Sequence, residues 1–365
     1  MKTIPLTVLC SEGPMSRAYL GVLHSAGFRV ERLILMISKR DPGNKRPISP
    51  WLPLRMRRTW AKTVQDLRMN YWPRQMVSQH AVCKQWMGEF AQGYSFNKSA
   101  WDSLTERPTY KKYAEQIDEL LIEGLDDLAL EKHLRFLGGP RAVLFTGGGR
   151  IPASLIEITG FRFIHIHPGL LPSIRGADAL LWSILLMGHP TATAFYLAPG
   201  LDTGDIIASA EFKLPVLPDF FPSLDTKAIY RFVYSFIDPM LRAQLLLRLV
   251  SKYADSLYSL PATTQSPTAG NTFHFMNERM RKFTFDYWSQ AHRSGPENLN
   301  GTISGNSAHN AVPRTDWREG VFNGQEICTA HTPYAHGSIQ SSSRASGTTR
   351  RPNACGTLQG VRVAS

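Results

Sequence analysis

Apolar positions fall into a strand–helix–strand rhythm from the N-terminus. TIPLTVLC is nearly continuous in β-favouring and apolar side chains, and SEGPMS is turn chemistry. RAYLGVLHSAG then sets Tyr19, Leu20 and Leu23 on one helical face ahead of Gly27, which is placed to end the helix. FRVERLILMI resumes a strand. Such alternation predicts a parallel sheet with helices on its faces. Residues 41–58 carry four prolines and a cluster of arginines, a loop or excursion, and the pattern from Trp60 to Leu137 is mainly helical. RAVLFTGGGRIP gives a short strand ending in Gly147, Gly148 and Gly149, and FRFIHIHPGLLPSIRG a second strand running into a Pro- and Gly-punctuated loop. ADALLWSILLMG is an apolar helix closed by Gly188, followed by the strands TATAFYL and IIASAEF on either side of APGLDTGD. Asp225–Thr226 and Asp238–Pro239 read as helix starts, since Asp suits the N-cap and Pro the first turn. LRAQLLLRLV carries an apolar face between its arginines, the mark of a packed helix.

After about Trp288 the periodicity ends. Residues 289–365 are rich in Ser, Gly, Asn, Thr and Arg; burial there cannot offset ordering entropy, so a disordered tail is expected. The chain has 365 residues, 43% of them hydrophobic, enough for a substantial core. That length allows two domains or one large one at about 150 residues each. The pattern gives one α/β domain over 1–285, helical over 223–255, and the tail from 289. No apolar run approaches the roughly 18 residues that cross a bilayer, so no membrane span is expected. The opening residues read as a first strand in place of a secretion signal. Cys10, Cys83, Cys328 and Cys355 form no CxxC pair. This argues against a disulfide scaffold and a zinc knuckle, and places the protein in a reducing cytoplasm. Lys and Arg number 41 against 29 Asp and Glu, and the excess is concentrated between Arg29 and Arg74. Such a surface attracts anions, but with no recognised nucleic-acid motif the reading taken is a solvated basic face.

His165 and His167 are the residues that point to chemistry. Two apart at the end of a strand, they share one face, at the carboxyl edge where open α/β sheets bind ligands. Asp202 follows 35 residues after His167 in a Gly-flanked turn, a separation that one helical crossover between parallel strands explains. A carboxylate beside an imidazole favours its protonated form. A donating His oriented by a carboxylate suits acyl transfer to an amine: it steadies negative charge on the carbonyl oxygen while the carboxylate helps move the proton.

HPGLLPSIRGADALLWSILLMG followed by FYLAPGLDTGDII resembles the signature of the formyltransferases that use 10-formyltetrahydrofolate, among them the glycinamide ribonucleotide, methionyl-tRNA and sugar-amine enzymes. The clear match covers roughly residues 142–212. The resemblance implies a Rossmann-like α/β fold: an open, mostly parallel sheet with helices on both faces. It also implies transfer of a formyl group from 10-formyltetrahydrofolate to an amine of a small metabolite. His167 and Asp202 match the family's histidine and aspartate, and His165 stands where the family has an asparagine that donates to the formyl oxygen. The family's serine after His-Pro is Gly169 here. By the same resemblance Leu170, Leu171 and Pro172 lie beside the folate, and the loop of Gly147, Gly148, Gly149 and Ile151 holds the pterin by main-chain groups. Gly204 and Asp205 complete the donor set, and Arg175 and Gly176 are assigned to substrate, although Arg175 could equally hold the loop. Trp182 is expected in the core.

Two other functions fit the same residues. His-x-His with Asp can ligate zinc or iron in a hydrolase, with His133 and His189 recruited by folding; the primary reading assigns no metal. A non-catalytic folate- or metabolite-binding relative is the other. Transfer RNA is disfavoured as acceptor because residues 215–285 read as helices, where the family's tRNA enzyme carries a β-barrel. The excursion over 41–137 is expected to set acceptor specificity or to form the face of a homodimer.

Overall fold

The computed structural model describes residues 1–94, 96–266 and 268–293. Five parallel strands lead the sheet: β1 (Lys2–Ser11), β2 (Phe28–Ser38), β3 (Ala114–Ile122), β4 (Arg141–Phe145) and β5 (Phe161–His167). A short β6 (Ile174–Gly176) leaves it to pair with the late strand β9 (Asn271–Phe273). β7 (Thr191–Tyr196) and β8 (Ile206–Glu211) complete seven strands in the order β3-β2-β1-β4-β5-β7-β8. The mostly parallel α/β architecture anticipated from the alternating pattern is therefore present. β1 sits between β2 and β4, and its last residues are buried on both faces, which is why TVLC reads as an unbroken apolar run.

Helices cover both faces. α1 (Pro14–Ser25), α2 (Leu54–Met69), α3 (Tyr71–Gln79), α4 (Ala81–Gly93) and α5 (Lys98–Thr105) precede β3, and α6 (Leu128–Leu137) and α7 (Ala153–Ile156) flank β4. α8 (Ala179–Met187), α9 (Thr226–Phe232), α10 (Asp238–Tyr253) and α11 (Glu278–Arg293) follow. One core joins Leu6, Val8 and Ile166 to side chains of α1, α4, α5, α8 and α10; the other joins Leu9, Phe145 and Phe163 to those of α6 and α7. The caps anticipated from sequence recur: Gly27 and Gly188 are left-handed, and the Asp225 carboxylate accepts from the Ala228 N–H. No helix among the described residues is long and apolar enough to cross a membrane.

Several expectations are corrected. The mainly helical stretch 60–137 also contains a strand that the pattern did not show: AEQIDELLI forms the edge strand β3, its Asp118 and Glu119 paired with Arg32, Arg58 and Lys62. β7 pairs antiparallel to β5, with His167 opposite Thr193, so no parallel crossover joins them. Asp238 caps nothing: it lies inside a run continuous with α9 through a π-turn at Val233–Ile237, and its carboxylate meets Arg242 at 3.2 Å. Residues 289–293 belong to α11, whereas the tail expectation from 294 onward lies outside the described residues.

A buried polar network ties the excursion to the sheet. Glu12, just past β1, accepts from Arg17 Nε at 2.6 Å and from Asn70 Nδ2 at 2.8 Å. Arg17 also donates to Asp66 and to the Glu106 carbonyl, and Arg74 reaches Asp66 at 2.9 Å. Glu12, Arg17 and Asn70 are all buried.

Candidate active site

Alternation along β5 fixes which way the histidines point. Ile164 and Ile166 enter the core that holds α10, so Phe163, His165 and His167 share the opposite face. The loop 197–205 leaves β7 at Tyr196, which is paired with Ile164, yet it reaches back along β5 to bring Asp202 Oδ2 to 3.6 Å from His167 Nδ1. The loop is held there through Asp202. Asp202 is left-handed (φ +55°), its carboxylate accepts from the Gly176 N–H at 2.9 Å, and its carbonyl accepts from Gln265 Nε2 at 2.9 Å and Arg175 Nε at 3.3 Å.

The two imidazoles have different chemistry. His167 is buried, and its Nε2–H donates to the Ile174 carbonyl at 2.9 Å. In the neutral ring Nδ1 is therefore a bare lone pair facing a carboxylate oxygen, at a distance too long for a hydrogen bond. Burial holds His167 below the ordinary histidine value, the Asp202 charge pulling the other way; the expected protonated imidazole is thus replaced by one in which desolvation wins. His165 donates from Nδ1 to the Phe145 carbonyl at 3.2 Å, and its ring lies against Phe145 and Phe195. Burial, with the charge of Arg242 adding to it, pushes its pKa down to about 3. With Nδ1 spent on a carbonyl and the ring neutral, Nε2 can only accept. The expectation that His165 is a second donor to a developing oxyanion is corrected on that ground.

The structure treats the remaining candidates unequally. Gly148 and Gly149 are exposed, and a Cβ at either would meet nothing within 4 Å; this is open main chain that a planar ring could approach. Gly147 is packed, since a Cβ there would press on the Phe145 ring at 2.7 Å, and Ile151 is buried in the core with Phe145. The loop of Leu170, Leu171 and Pro172 is set by Thr193, whose hydroxyl accepts from the Leu171 N–H at 3.0 Å and donates to the Gly169 carbonyl at 2.7 Å. Gly204 lies so close to the Tyr196 carbonyl that a Cβ would strike it, and Asp205 closes its turn by accepting from the Tyr196 N–H. Arg175 is buried, and its guanidinium goes to Gln265 and the carbonyls of Ser266 and Ala269. These bonds tie Arg175 to the segment 265–269, and the Gly176 N–H is given to Asp202. Trp182 packs on Phe273 and donates to the His274 carbonyl.

Sequence reasoning missed the partners that decide the histidines' roles, the carbonyls of Phe145 and Ile174, because main-chain acceptors leave no trace in residue type. It also missed Thr193, which only the antiparallel register of β7 brings to the loop. Among the described residues no group of three or more His, Cys, Asp or Glu could hold a metal ion. His133 pairs with Asp118 and His189 faces Glu211.

Residues 129–220 match the family model described as formyl transferase. Over these residues the chain is similar to that family. The methionyl-tRNA formyltransferase of Syntrophus aciditrophicus is a similar relative, 31% identical over 106 residues that make up 29% of this chain and 34% of that protein. That of Deinococcus radiodurans is 33% identical over 100 residues, 27% of this chain and 30% of that one. The chain thus spans about a third of the length of the curated relatives it matches. Among solved structures, a sugar N-formyltransferase from a Shewanella species superposes with TM-score 0.37 at 12% identity, over 76% of this chain and 86% of that one. Glycinamide ribonucleotide transformylase 1 from Symbiobacterium toebii gives 0.35 at 16%, over 72% and 95%. The formyl transferase segment contains α6 from its second residue onward, β4 to β8, and all three of His165, His167 and Asp202.

Proposed function

We propose that the protein is an N-formyltransferase that moves a formyl group from 10-formyltetrahydrofolate to an amine of a small metabolite. The observation that carries this reading is the His167–Asp202 pair at the carboxyl end of β5, inside the formyl transferase segment. The exposed main chain at Gly148 and Gly149 is compatible with a folate ring alongside.

Bound 10-formyltetrahydrofolate would supply an electrophilic formyl carbon whose oxygen gains negative charge when an amine attacks. The chain's contribution is proton handling. His167 Nδ1 and Asp202 Oδ2 are two basic atoms facing each other across 3.6 Å, and a proton released by the amine neutralises that opposition by settling between them. It is then available to the departing folate nitrogen, so that one C–N bond forms, one breaks, and the proton passes from amine to folate. A His167 ring that exchanges the Ile174 carbonyl for the formyl oxygen would turn its Nε2–H onto the developing charge. His165, an acceptor at Nε2, suits the amine's N–H. Residues 221–253, helical throughout their main elements, favour a small acceptor over transfer RNA.

The test is a panel of primary amines incubated with 10-formyltetrahydrofolate and read by the mass of a formyl adduct. Substituting His167→Ala or Asp202→Asn is expected to cut turnover by at least about 100-fold, with the circular dichroism spectrum unchanged. Near-native turnover in either variant would remove the pair from the mechanism. A second reading, a binding protein without turnover, draws support from the commitment of an N–H of each imidazole to a main-chain carbonyl. Tight folate binding with no adduct on any amine would favour it.

A further inference from the structure

From Pro42 to Gln65 the chain contains Lys45, Arg46, Arg55, Arg57, Arg58 and Lys62 and not one Asp or Glu. Much of this stretch becomes α2. Ala61 and Gln65 turn inward to the core and are buried. The opposite side carries Met56, Trp60, Thr63 and Leu67, spaced at i, i+4, i+7 and i+11 as one helical stripe. A buried outer stripe would be ordinary; this one faces solvent. Met56 is 59% exposed, Trp60 49% and Leu67 47%; Leu54, the first residue of the helix, stands at 68% and Trp51, just ahead of it, at 79%. Leu52, Arg55, Met56, Thr59, Trp60 and Thr63 line a shallow cleft of about 480 Å³ along this side.

The charges around the stripe are not used up inside the protein. Arg58 and Lys62 pair with Glu119, and Arg57 donates to the Ile48 carbonyl. Lys45, Arg46 and Arg55 are exposed, and among the described residues their side chains have no counter-ion. Three free cations thus sit on the same excursion as exposed tryptophans and aliphatic side chains. A protein partner or second copy would match the apolar stripe but would not call for a stretch wholly free of acids. Nucleic acid would match the cations, but Leu54, Met56 and Leu67 cannot stack on bases. An anionic bilayer surface matches both: phosphates take the cations, and the boundary between headgroups and acyl chains takes Trp and aliphatic side chains together.

We infer that residues 45–67 form a docking face for anionic membrane, with Trp51, Leu54, Met56 and Trp60 entering the interface and Lys45, Arg46 and Arg55 meeting lipid phosphates. This inference does not depend on formyl transfer. It is tested by sedimenting the full chain with vesicles of phosphatidylcholine alone or mixed with phosphatidylglycerol, at low and high salt. Binding is expected only to the mixed vesicles, weakened by salt, with a blue shift of tryptophan fluorescence. Because the substituted side chains are exposed, thermal unfolding should stay unchanged in both variants. Met56→Ser with Trp60→Ser should lower binding by about tenfold. Lys45→Glu, Arg46→Glu and Arg55→Glu together should lower it by about 100-fold. Equal binding to both vesicle types, binding that survives the Met56 and Trp60 changes, or self-association that hides the stripe would each overturn the inference. So would a preference for a short RNA over vesicles with the two apolar substitutions silent.

Discussion

At position 165 a single hydrogen bond decides what an imidazole can do. Donation from Nδ1 to the Phe145 carbonyl leaves an acceptor pointing away, and burial keeps the ring neutral down to about pH 3. Unfolding restores an ordinary histidine, which takes up a proton below its usual pKa while the folded ring does not. Stability is therefore lost as pH falls from about 6.5 toward 3, at up to about 1.4 kcal/mol per unit. Replacing His165→Asn removes this dependence. Urea titrations at pH 7 and pH 5 should show the native chain losing about 2 kcal/mol more than the variant, the contribution of His167 being common to both. The same substitution supplies an N–H at the position of the resembling family's asparagine, and on the formyl-transfer reading it should raise turnover. At Gly169 the consequence is steric: a Cβ would lie 2.8 Å from His167 Nε2 and 2.9 Å from the Ile174 carbonyl. A serine here would therefore push the ring off that carbonyl.

Among the elements, β6 carries more than its three residues suggest. It positions Gly176 to hold Asp202 and pairs with β9, and Gly176 sits at φ +92° with the Phe273 carbonyl where a Cβ would go. Gly176→Ala should cost about 1–3 kcal/mol in urea unfolding and loosen the Asp202 loop. Neither β6 nor β9 could be read in the sequence, because three residues are too few to show a period of two. β3 was hidden for another reason. Its Glu115, Gln116, Asp118 and Glu119 are the polar side chains of an edge strand, and against Arg32 and Lys62 they serve pairing where the run looked helical. β1, β2 and β4 were legible because buried parallel strands leave apolar runs, and β5 because its apolar side chains alternate with Arg162 and the two histidines. The direction of β7 was not, since periodicity says nothing about which way a strand runs. His165, His167 and Asp202 were found by strand spacing and motif; their protonation states were not, because those depend on main-chain carbonyls and burial.

Across the whole molecule, the excursion between β2 and β3 is bound to the sheet through charge as much as through packing. Glu12, Arg17, Asp66, Asn70 and Arg74 link the end of β1 and the start of α1 to α2 and α3. Removing one member leaves buried charge without its partner. Arg17→Met is expected to lower stability by about 3–5 kcal/mol, and Glu12→Gln by less, because an amide keeps a neutral partner for Asn70. Equilibrium denaturation of both variants checks the order. A larger loss for Glu12→Gln would show that Asn70 and the sheet edge matter more than the guanidinium.

The central place of β1 has a consequence for biosynthesis. Its Leu6 pairs with Ala142 of β4, which the ribosome makes 136 residues later. At about 5–20 residues per second that is a wait of roughly 7–27 s. Through it, the first strand has β2 on one side and an unfilled edge on the other. A nascent chain in this condition invites chaperone capture, and slowing translation before Arg141 should raise the share that aggregates.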